Sequence, residues 1–176
     1  MQSNWKKSFD LILEAEGGFS DDEHDKGNWL PDGRKGCTNL GVTQTVWEQW
    51  VGRPSNEKEM RSLTAAMIEP LYHRNFWDAC KCDSLPTPID YLVFDFAVNA
   101  GVGRSAKTLQ SVVGTTQDGA IGPETLKAVN RMNVRDLIEM FSYAKIEYYK
   151  SLHNQYYETG WLNRVATVKT AALSMV

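Results

Sequence analysis

The fold of this chain is organised by the stretch Pro88-Ile-Asp-Tyr-Leu-Val-Phe-Asp-Phe-Ala-Val-Asn99. Its apolar residues lie on nearly every face of a helix, a pattern typical of a helix that is buried all round. Pro88 suits the start of such a helix, because its fixed φ is helical and it has no N–H to leave unpaired. The sequence therefore predicts a buried central helix over residues 89–99.

Asp95 and Asn99 are the polar residues that stand out on this helix. They are four residues apart and so point the same way. A buried polar group needs a partner, and an isolated buried carboxylate costs several kcal/mol. Two interpretations stay open: the pair ties down a neighbouring loop or helix terminus, or it lines a binding groove beside Glu16.

Helical patterns flank the central helix on both sides. A cap at Ser3 or Asn4 and the stripe Trp5, Phe9, Ile12, Leu13 predict a first helix that ends near Glu16. Thr43 and Thr64 are candidate N-caps, Pro70 should kink or interrupt the second of these helices, and Pro123 can open another. The remaining helical segments are expected at about 43–51, 56–76, 104–113, 134–153 and 158–174.

Residues 17–42 are rich in glycine and aspartate and show little helical periodicity. Gly17-Gly18 should end the first helix by taking positive φ. Residues 27–36 are expected to form an exposed loop with a turn at Pro31-Asp32-Gly33, and its Trp29 either covers a ligand or folds back on the surface. Any sheet is a short hairpin between residues 19 and 42. The fold class is therefore all-α, with about seven to eight helices in one globular domain.

Glu16 and Asp25 are the candidate chemical groups. Glu16 lies in the last turn of the first helix, near the negative end of the helix dipole, which opposes ionisation of its carboxyl. A carboxyl that keeps its proton near neutral pH can act as a general acid. Asp25 lies nine residues on, after the acidic run Asp21-Asp22-Glu23.

Composition excludes several classes of protein. The 176 residues are 42% hydrophobic and 23% charged, which are ordinary globular values. Net charge is −3, and residues 1–100 carry ten Lys/Arg against sixteen Asp/Glu, whereas residues 101–176 carry nine against six. Nucleic-acid binding, which needs a strongly basic face, is not expected. No signal peptide or membrane span is expected either, so we predict synthesis in the cytoplasm without stable membrane insertion.

The three cysteines, Cys37, Cys80 and Cys82, are expected to be reduced and to fill core positions. With one of His24, His73 or His153 they could in principle hold zinc, but their spacing fits no common zinc pattern. We expect neither a metal nor another cofactor, and we expect a monomer.

Several motifs in order resemble one family of enzymes. Glu16-Gly-Gly-Phe19, Asp25-Lys-Gly27 and Thr38-Asn-Leu-Gly-Val-Thr43 are similar to the signature of the glycoside hydrolase 108 family. Phe94–Gly101, Asp118–Thr125 and Gly160–Arg164 resemble the peptidoglycan-binding region that usually follows it. The family consists of peptidoglycan N-acetylmuramidases of phage and prophage lysis systems. The chain departs from its pattern at residues 28–36, which lengthen the path from Asp25 to Thr38.

The resemblance implies a lysozyme-like fold and a cell-wall hydrolase. Glu16 would protonate the leaving oxygen of the β-1,4 bond between N-acetylmuramic acid and N-acetylglucosamine. Asp25 is the first candidate for the second carboxylate, with Asp21 and Asp22 behind it, and Thr38 could instead position the water. Asn39, Trp29, Asp95 and Asn99 are the candidate substrate contacts.

The resemblance also predicts organisation and place of action. Residues 1–100 would form the catalytic region and residues 101–176 a peptidoglycan-binding region packed on it. The partner would be peptidoglycan glycan strands, reached after release through a pore made by another protein. Two alternatives stay open: a lytic transglycosylase giving 1,6-anhydro products, and a non-catalytic protein that binds peptidoglycan or assists secretion.

Overall fold

A computed structural model describes residues 4–176 as a mostly helical chain with one two-stranded antiparallel sheet. The sheet consists of β1 (Thr38–Asn39) and β2 (Val42–Thr43). The α-helices in this range are α1 (Trp5–Ala15), α2 (Gln44–Val51), α3 (Glu57–Arg61), α4 (Ala65–Tyr72), α5 (Ile89–Ala100), α6 (Val102–Val113), α7 (Pro123–Val129), α8 (Val134–Ser151) and α9 (Gln155–Leu173). The expected all-α class with a short hairpin is confirmed.

The chain divides into two compact units. The small unit is residues 9–73, and the large unit is residues 74–176 together with the start of α1 up to Ser8. The proposed cap Ser3 lies outside the described residues. No helix within residues 4–176 combines the length and the apolar character needed to cross a membrane.

In the small unit, α1 ends close to the predicted position but not by the predicted mechanism. The Glu16 amide still donates to the Ile12 carbonyl at 2.9 Å. Neither Gly17 nor Gly18 takes positive φ, and a Cβ at either would meet no atom within 4 Å. The helix does not end in a left-handed cap. It ends because glycine loses more conformational entropy in a helix than other residues do, and two exposed glycines follow here.

The hairpin covers only residues 38–43, whereas the sequence allowed it anywhere between residues 19 and 42. Asn39 pairs with Val42 and Thr38 with Thr43, so Leu40 and Gly41 form a two-residue turn. Both have positive φ, +51° and +76°, as a type I′ turn requires. Ser20 extends the pairing by one bridge to Thr38.

Residues 28–36 form a loop that closes on itself. The Gly36 amide donates to the Asn28 carbonyl at 2.7 Å, and the Leu30 amide donates to the Arg34 carbonyl at 2.9 Å. The predicted turn at Pro31–Gly33 is present, with Gly33 at φ +85°. The expectation of an exposed loop holds for its tip, residues 31–35, but not for Asn28 and Leu30, which are buried.

The N-cap predictions in the small unit are confirmed. The Thr43 hydroxyl accepts from the Val46 amide and the Thr64 hydroxyl from the Met67 amide. Pro70 lies inside α4 without interrupting it, and three residues later the backbone changes to a π-helical segment, His73–Asp78.

In the large unit, α5 is the buried central helix that the sequence predicts. Every residue from Ile89 to Ala97 is buried, and α6, α8 and α9 all pack against α5. Gly101 at φ +89° separates α5 from α6, which begins at Val102, two residues before the expected start. Helix α9 begins at Gln155, three residues early, because the Asn154 side chain accepts from the Tyr157 amide and caps it.

Two smaller predictions are also confirmed. Pro123 occupies the first turn of α7, as predicted. Cys37, Cys80 and Cys82 are buried and free. Burial raises the pKa of the Cys82 thiol well above its usual range, which keeps it protonated.

Candidate active site

Glu16 lies against the turn of the hairpin. A Cβ built on Gly41 would come 2.9 Å from Oε2 of Glu16 and 3.0 Å from its Cγ. Real Cβ atoms do not approach other atoms this closely without displacing them, so the carboxyl occupies space that glycine leaves open. The hairpin therefore places one face of its turn beside the candidate acid.

Tyr72 completes this arrangement. Its hydroxyl donates to the Leu40 carbonyl at 3.0 Å and lies 2.5 Å from the position that a Cβ on Gly41 would take. The Tyr72 side chain is only 1% exposed, and its ring meets that of Phe9 edge-on at 5.6 Å between centroids. Glu16 and the Tyr72 hydroxyl thus converge on the same side of Gly41.

Neither Gly41 nor Tyr72 was among the site residues that the sequence suggested. Gly41 carries a signal in retrospect, since a glycine between two short β-prone stretches predicts a hairpin turn. Tyr72 carries none, because it lies 32 residues from Leu40 in an apolar helical stretch. Its pattern predicts only a core position.

Asp25 is exposed and lies beside the hairpin. Its Oδ1 accepts from the Gly27 amide at 2.8 Å and caps a short 3₁₀ turn, Lys26–Asn28. A Cβ on Gly27 would lie 3.2 Å from this oxygen and 3.3 Å from Cγ2 of Thr43. The carboxylate and β2 are therefore close neighbours, even though residues 28–36 lengthen the chain between them.

Thr38 is tied to the loop through Asn28. The Thr38 hydroxyl donates to Oδ1 of Asn28 at 2.8 Å, and Nδ2 of Asn28 donates to the Asp22 carbonyl at 2.9 Å. Asn28 is fully buried, so this link is shielded from water. The Thr38 hydroxyl proton is therefore used in the hydrogen bond to Asn28, but the hydroxyl oxygen can still accept a hydrogen bond from water.

The acidic run before Asp25 is held by local contacts. Oδ1 of Asp22 accepts from the His24 amide at 2.9 Å and lies 3.0 Å from Nδ1 of the same residue. The hydrogen bond from the His24 backbone, followed by that from its ring, holds the pKa of Asp22 below its usual range. Asp22 is therefore a carboxylate at neutral pH and not a proton donor.

The other two candidates in the small unit occupy different environments. Asn39 is buried, and its amide donates to the Met60 carbonyl at 2.8 Å, which ties the hairpin to α3. Trp29 is 44% exposed, and its indole N–H donates to the Glu23 carbonyl at 2.8 Å. Trp29 is thus fixed at one edge while part of its ring faces solvent.

Phe19, the aromatic residue of the Glu16-Gly-Gly-Phe19 motif, forms a cation–π contact with Arg61. The Arg61 guanidinium carbon lies 3.5 Å from the centroid of the Phe19 ring. Such stacking stabilises an aromatic at a partly exposed site. The ring thereby joins the segment after α1 to α3.

Asp95 and Asn99 lie in the large unit, where Asp95 belongs to a buried ion-pair network. Its Oδ2 is 2.6 Å from Nζ of Lys145, and its Oδ1 accepts from Nε of Arg164 at 2.9 Å. Asp95 and Lys145 are both 1% exposed. The Asn99 amide donates to the Asp95 carbonyl at 2.7 Å. The contacts of Asp95 join α5, α8 and α9, which supports a structural role, although its partners lie inside helices and not at a loop or helix terminus. Asn99 is exposed, and its side-chain bond stays within α5.

Comparison with known protein families assigns the chain to a family. The family described as Glycosyl hydrolase 108 matches residues 9–101, which is more than half of the sequence and includes Glu16, Asp25 and the hairpin. The chain belongs to the glycosyl hydrolase 108 family. The Predicted Peptidoglycan domain matches residues 104–166.

A solved structure shows the same fold. SagA from Brucella abortus is 33% identical to this chain, with a TM-score of 0.84, over 97% of this chain and 94% of SagA. Comparison with curated proteins finds no match. The two family assignments make this glycosyl hydrolase 108 member a glycoside hydrolase that acts on peptidoglycan.

Proposed function

We propose that the enzyme cleaves the β-1,4 bond between N-acetylmuramic acid and N-acetylglucosamine, with Glu16 as the general acid. The observation that carries this proposal is the placement of Glu16 at the end of α1, with its carboxyl against Gly41 in space that a side chain at that position would take. The proton would pass from Glu16 to the leaving glycosidic oxygen as the C–O bond breaks.

Asp25 is the proposed second carboxylate. It is exposed, lies beside β2, and can accept a proton from an attacking water or stabilise the positive charge that develops on the sugar. A Glu16–Asp25 carboxyl separation of roughly 6.5–9.5 Å corresponds to inversion and roughly 5–5.5 Å to retention. Thr38 is the alternative group for positioning the water, through the acceptor capacity of its oxygen.

Substrate contact is proposed for Trp29 first. Part of its ring is open to solvent, and flat aromatic surfaces suit the apolar faces of sugars. Asn39 and Asn99 already use their amide groups within the protein, so any contribution from them would come through positioning.

The test is Glu16→Gln, which keeps the shape of the side chain and removes the transferable proton. Release of reducing ends from purified peptidoglycan should fall roughly 10²–10⁴-fold. Glu14→Gln is the matched control, since Glu14 is an exposed residue of α1 two positions earlier, and it should keep wild-type activity. Equal activity of Glu16→Gln and the wild type would disprove the assignment.

Product analysis tests the reaction type. Hydrolysis adds one water to each cleaved bond, so mass spectrometry should find reducing muropeptides. Products with 1,6-anhydro ends would identify a lytic transglycosylase instead. Binding to peptidoglycan without any new ends would identify a non-catalytic protein.

A lytic role in the cell is part of the same proposal. Expression together with a pore-forming protein should lyse bacterial cells, whereas the Glu16→Gln variant under the same conditions should not. Lysis by Glu16→Gln at the wild-type rate would exclude wall cleavage by this enzyme as its cause.

A further inference from the structure

A groove with a volume of about 460 Å³ lies between α6 and α8 of the large unit. It falls within the residues matched by the Predicted Peptidoglycan domain, and the residues that line it all belong to the large unit. The ones that matter for its chemistry are two cations and two tyrosines, namely Arg104, Lys107, Tyr143 and Tyr148.

The tyrosines give the groove a flat apolar surface. Tyr148 is half-buried, and its ring lies 5.5 Å from that of Phe96 and 5.5 Å from that of Tyr149, so its orientation is fixed by the core. Tyr143 is 64% exposed. An aromatic surface with a few placed polar groups is the usual composition of a binding site for a sugar or another small ligand.

The cations give the groove its charge. The Arg104 guanidinium carbon lies 4.9 Å from the centroid of the Tyr148 ring, which holds this positive charge at the groove. Among residues 4–176, neither Arg104 nor Lys107 forms an ion pair. Glu147 is the one acid of the lining, and it lies 3.8 Å from Lys150. The lining therefore carries two positive charges against one negative charge, and Lys107 also acts on Asp118, whose pKa its charge helps to lower.

Hydrogen-bonding groups line the α6 side of the groove. Thr108 and Ser111 contribute hydroxyls, and Gln117 contributes an amide from the segment that follows α6. Hydroxyls and amides can both donate to and accept from sugar hydroxyls and acetamido groups.

We infer that this groove binds a peptide-bearing disaccharide of peptidoglycan, with a sugar ring on the tyrosines and stem-peptide carboxylates at Arg104 and Lys107. Charge complementarity selects the peptide-bearing unit, because bare N-acetylglucosamine polymers carry no anion for the two cations. The inference rests on the proposed function for the nature of the substrate. It adds a second contact with the wall that contains no residue of the small unit.

The experiment uses the full chain with Glu16→Gln as the common parent, so that no longer glycan is hydrolysed during a titration. The probe is N-acetylglucosaminyl-N-acetylmuramyl-tetrapeptide, titrated by calorimetry. Arg104→Gln, which removes the charge and keeps a polar side chain, should weaken binding about tenfold, as expected for loss of a charge-assisted hydrogen bond. Tyr143→Ala should weaken it about fivefold through loss of the aromatic surface.

Two matched controls belong to the same unit but lie outside the groove. Arg131→Gln removes an exposed arginine, and Tyr156→Ala removes a tyrosine that is 85% exposed. Both should bind the probe within about twofold of the Glu16→Gln parent, since substitutions away from the contact usually change free energies little. A larger loss from Tyr156→Ala than from Tyr143→Ala would overturn the inference, because the tyrosines near the start of α9 would then be the binding surface.

The parts of the probe test the two halves of the inference. The free tetrapeptide and N-acetylglucosamine tetramer should each bind more weakly than the complete disaccharide-peptide. Raising ionic strength should weaken the complete probe and leave the uncharged tetramer nearly unchanged. Equal affinity of the uncharged tetramer and the complete probe would overturn the role of Arg104 and Lys107.

Failure of the inference and failure of the proposed function give different results. Unchanged affinity in Arg104→Gln and Tyr143→Ala overturns the groove, whatever the wild-type enzyme does to peptidoglycan. Binding that depends on the groove, together with a wild type that releases no reducing ends, overturns the proposed reaction and keeps the groove.

Discussion

Gly41 is the residue on which the position of Glu16 most directly depends. A methyl group there would meet the Glu16 carboxyl at 2.9 Å and the Tyr72 hydroxyl at 2.5 Å, on a backbone with φ +76°. We expect Gly41→Ala to lower kcat on peptidoglycan at least about tenfold, because small displacements of a catalytic group are costly. Reducing-end assays on the purified variant measure this.

Gly52→Ala separates backbone strain from the clash. Gly52 has nearly the same φ, +73°, and ends α2, and a methyl group added to it would meet no atom within 4 Å. The variant should lose about 1–2 kcal/mol of stability, as left-handed backbone costs a residue with a Cβ, and keep its activity. An equal loss of activity in both variants would mean that strain alone, not displacement of Glu16, explains Gly41→Ala.

Tyr72→Phe tests the other neighbour of Gly41. The change removes the donor to the Leu40 carbonyl and should lower the free energy of unfolding by about 1 kcal/mol, measured by urea denaturation. Combined with Gly41→Ala, it also removes the closest of the two clashes. The double variant should therefore be more stable than the sum of the single changes predicts, while its activity stays low because the contact with Glu16 persists. If the stability losses of the two single variants simply add in the double variant, the Tyr72 hydroxyl does not clash with the added methyl group.

Among the elements, the hairpin depends on the Thr38–Asn28 hydrogen bond. Thr38→Val keeps the shape but leaves Oδ1 of buried Asn28 without its donor, which should cost about 1–3 kcal/mol. Thr38→Ser keeps the hydroxyl and should lose less, and thermal denaturation ranks the two. If Thr38→Val is as stable as Thr38→Ser yet inactive, the hydroxyl acts on the water and not on the loop.

The sequence predicts these elements better than it predicts their contacts. Thr43 and Thr64 cap their helices through hydrogen bonds to residues three positions further on, so the sequence alone can predict them. Asn28 is hidden in a stretch whose glycines and proline indicate exposure, yet it is fully buried. Asn28 is buried with Thr38, its hydrogen-bond partner ten residues away, and the hydrophobic periodicity of a sequence does not predict such a pairing.

For the whole molecule, stability should depend strongly on the buried network at Asp95. Lys145→Met leaves the Asp95 carboxylate in the core with Arg164 alone, and loss of a buried ion-pair partner typically costs about 3–5 kcal/mol. Lys150→Met on the same helix removes an exposed lysine 3.8 Å from Glu147 and should cost less than about 1 kcal/mol. Guanidinium denaturation compares the two variants.

The same experiment distinguishes the two interpretations of Asp95. A structural role predicts that Asp95→Asn loses stability much as Lys145→Met does. A sugar contact predicts normal stability and a raised KM. The sequence could place Asp95 on the central helix, but Lys145 and Arg164 lie 50 and 69 residues further on, so their identity as partners required the structure.

The closed loop at residues 28–36 has a consequence for how such enzymes can diversify. Its ends are joined by the Asn28–Gly36 hydrogen bond, and the Leu30 side chain packs directly onto Gly36. Residues added at the Asp32-Gly33 tip would leave that closure intact, at an entropic penalty that grows by only about 0.6 kcal/mol per doubling of loop length. Residues can therefore be added or removed at this tip, and an engineer can graft a reporter peptide there, while Asn28 keeps its hydrogen bonds to Asp25 and Thr38.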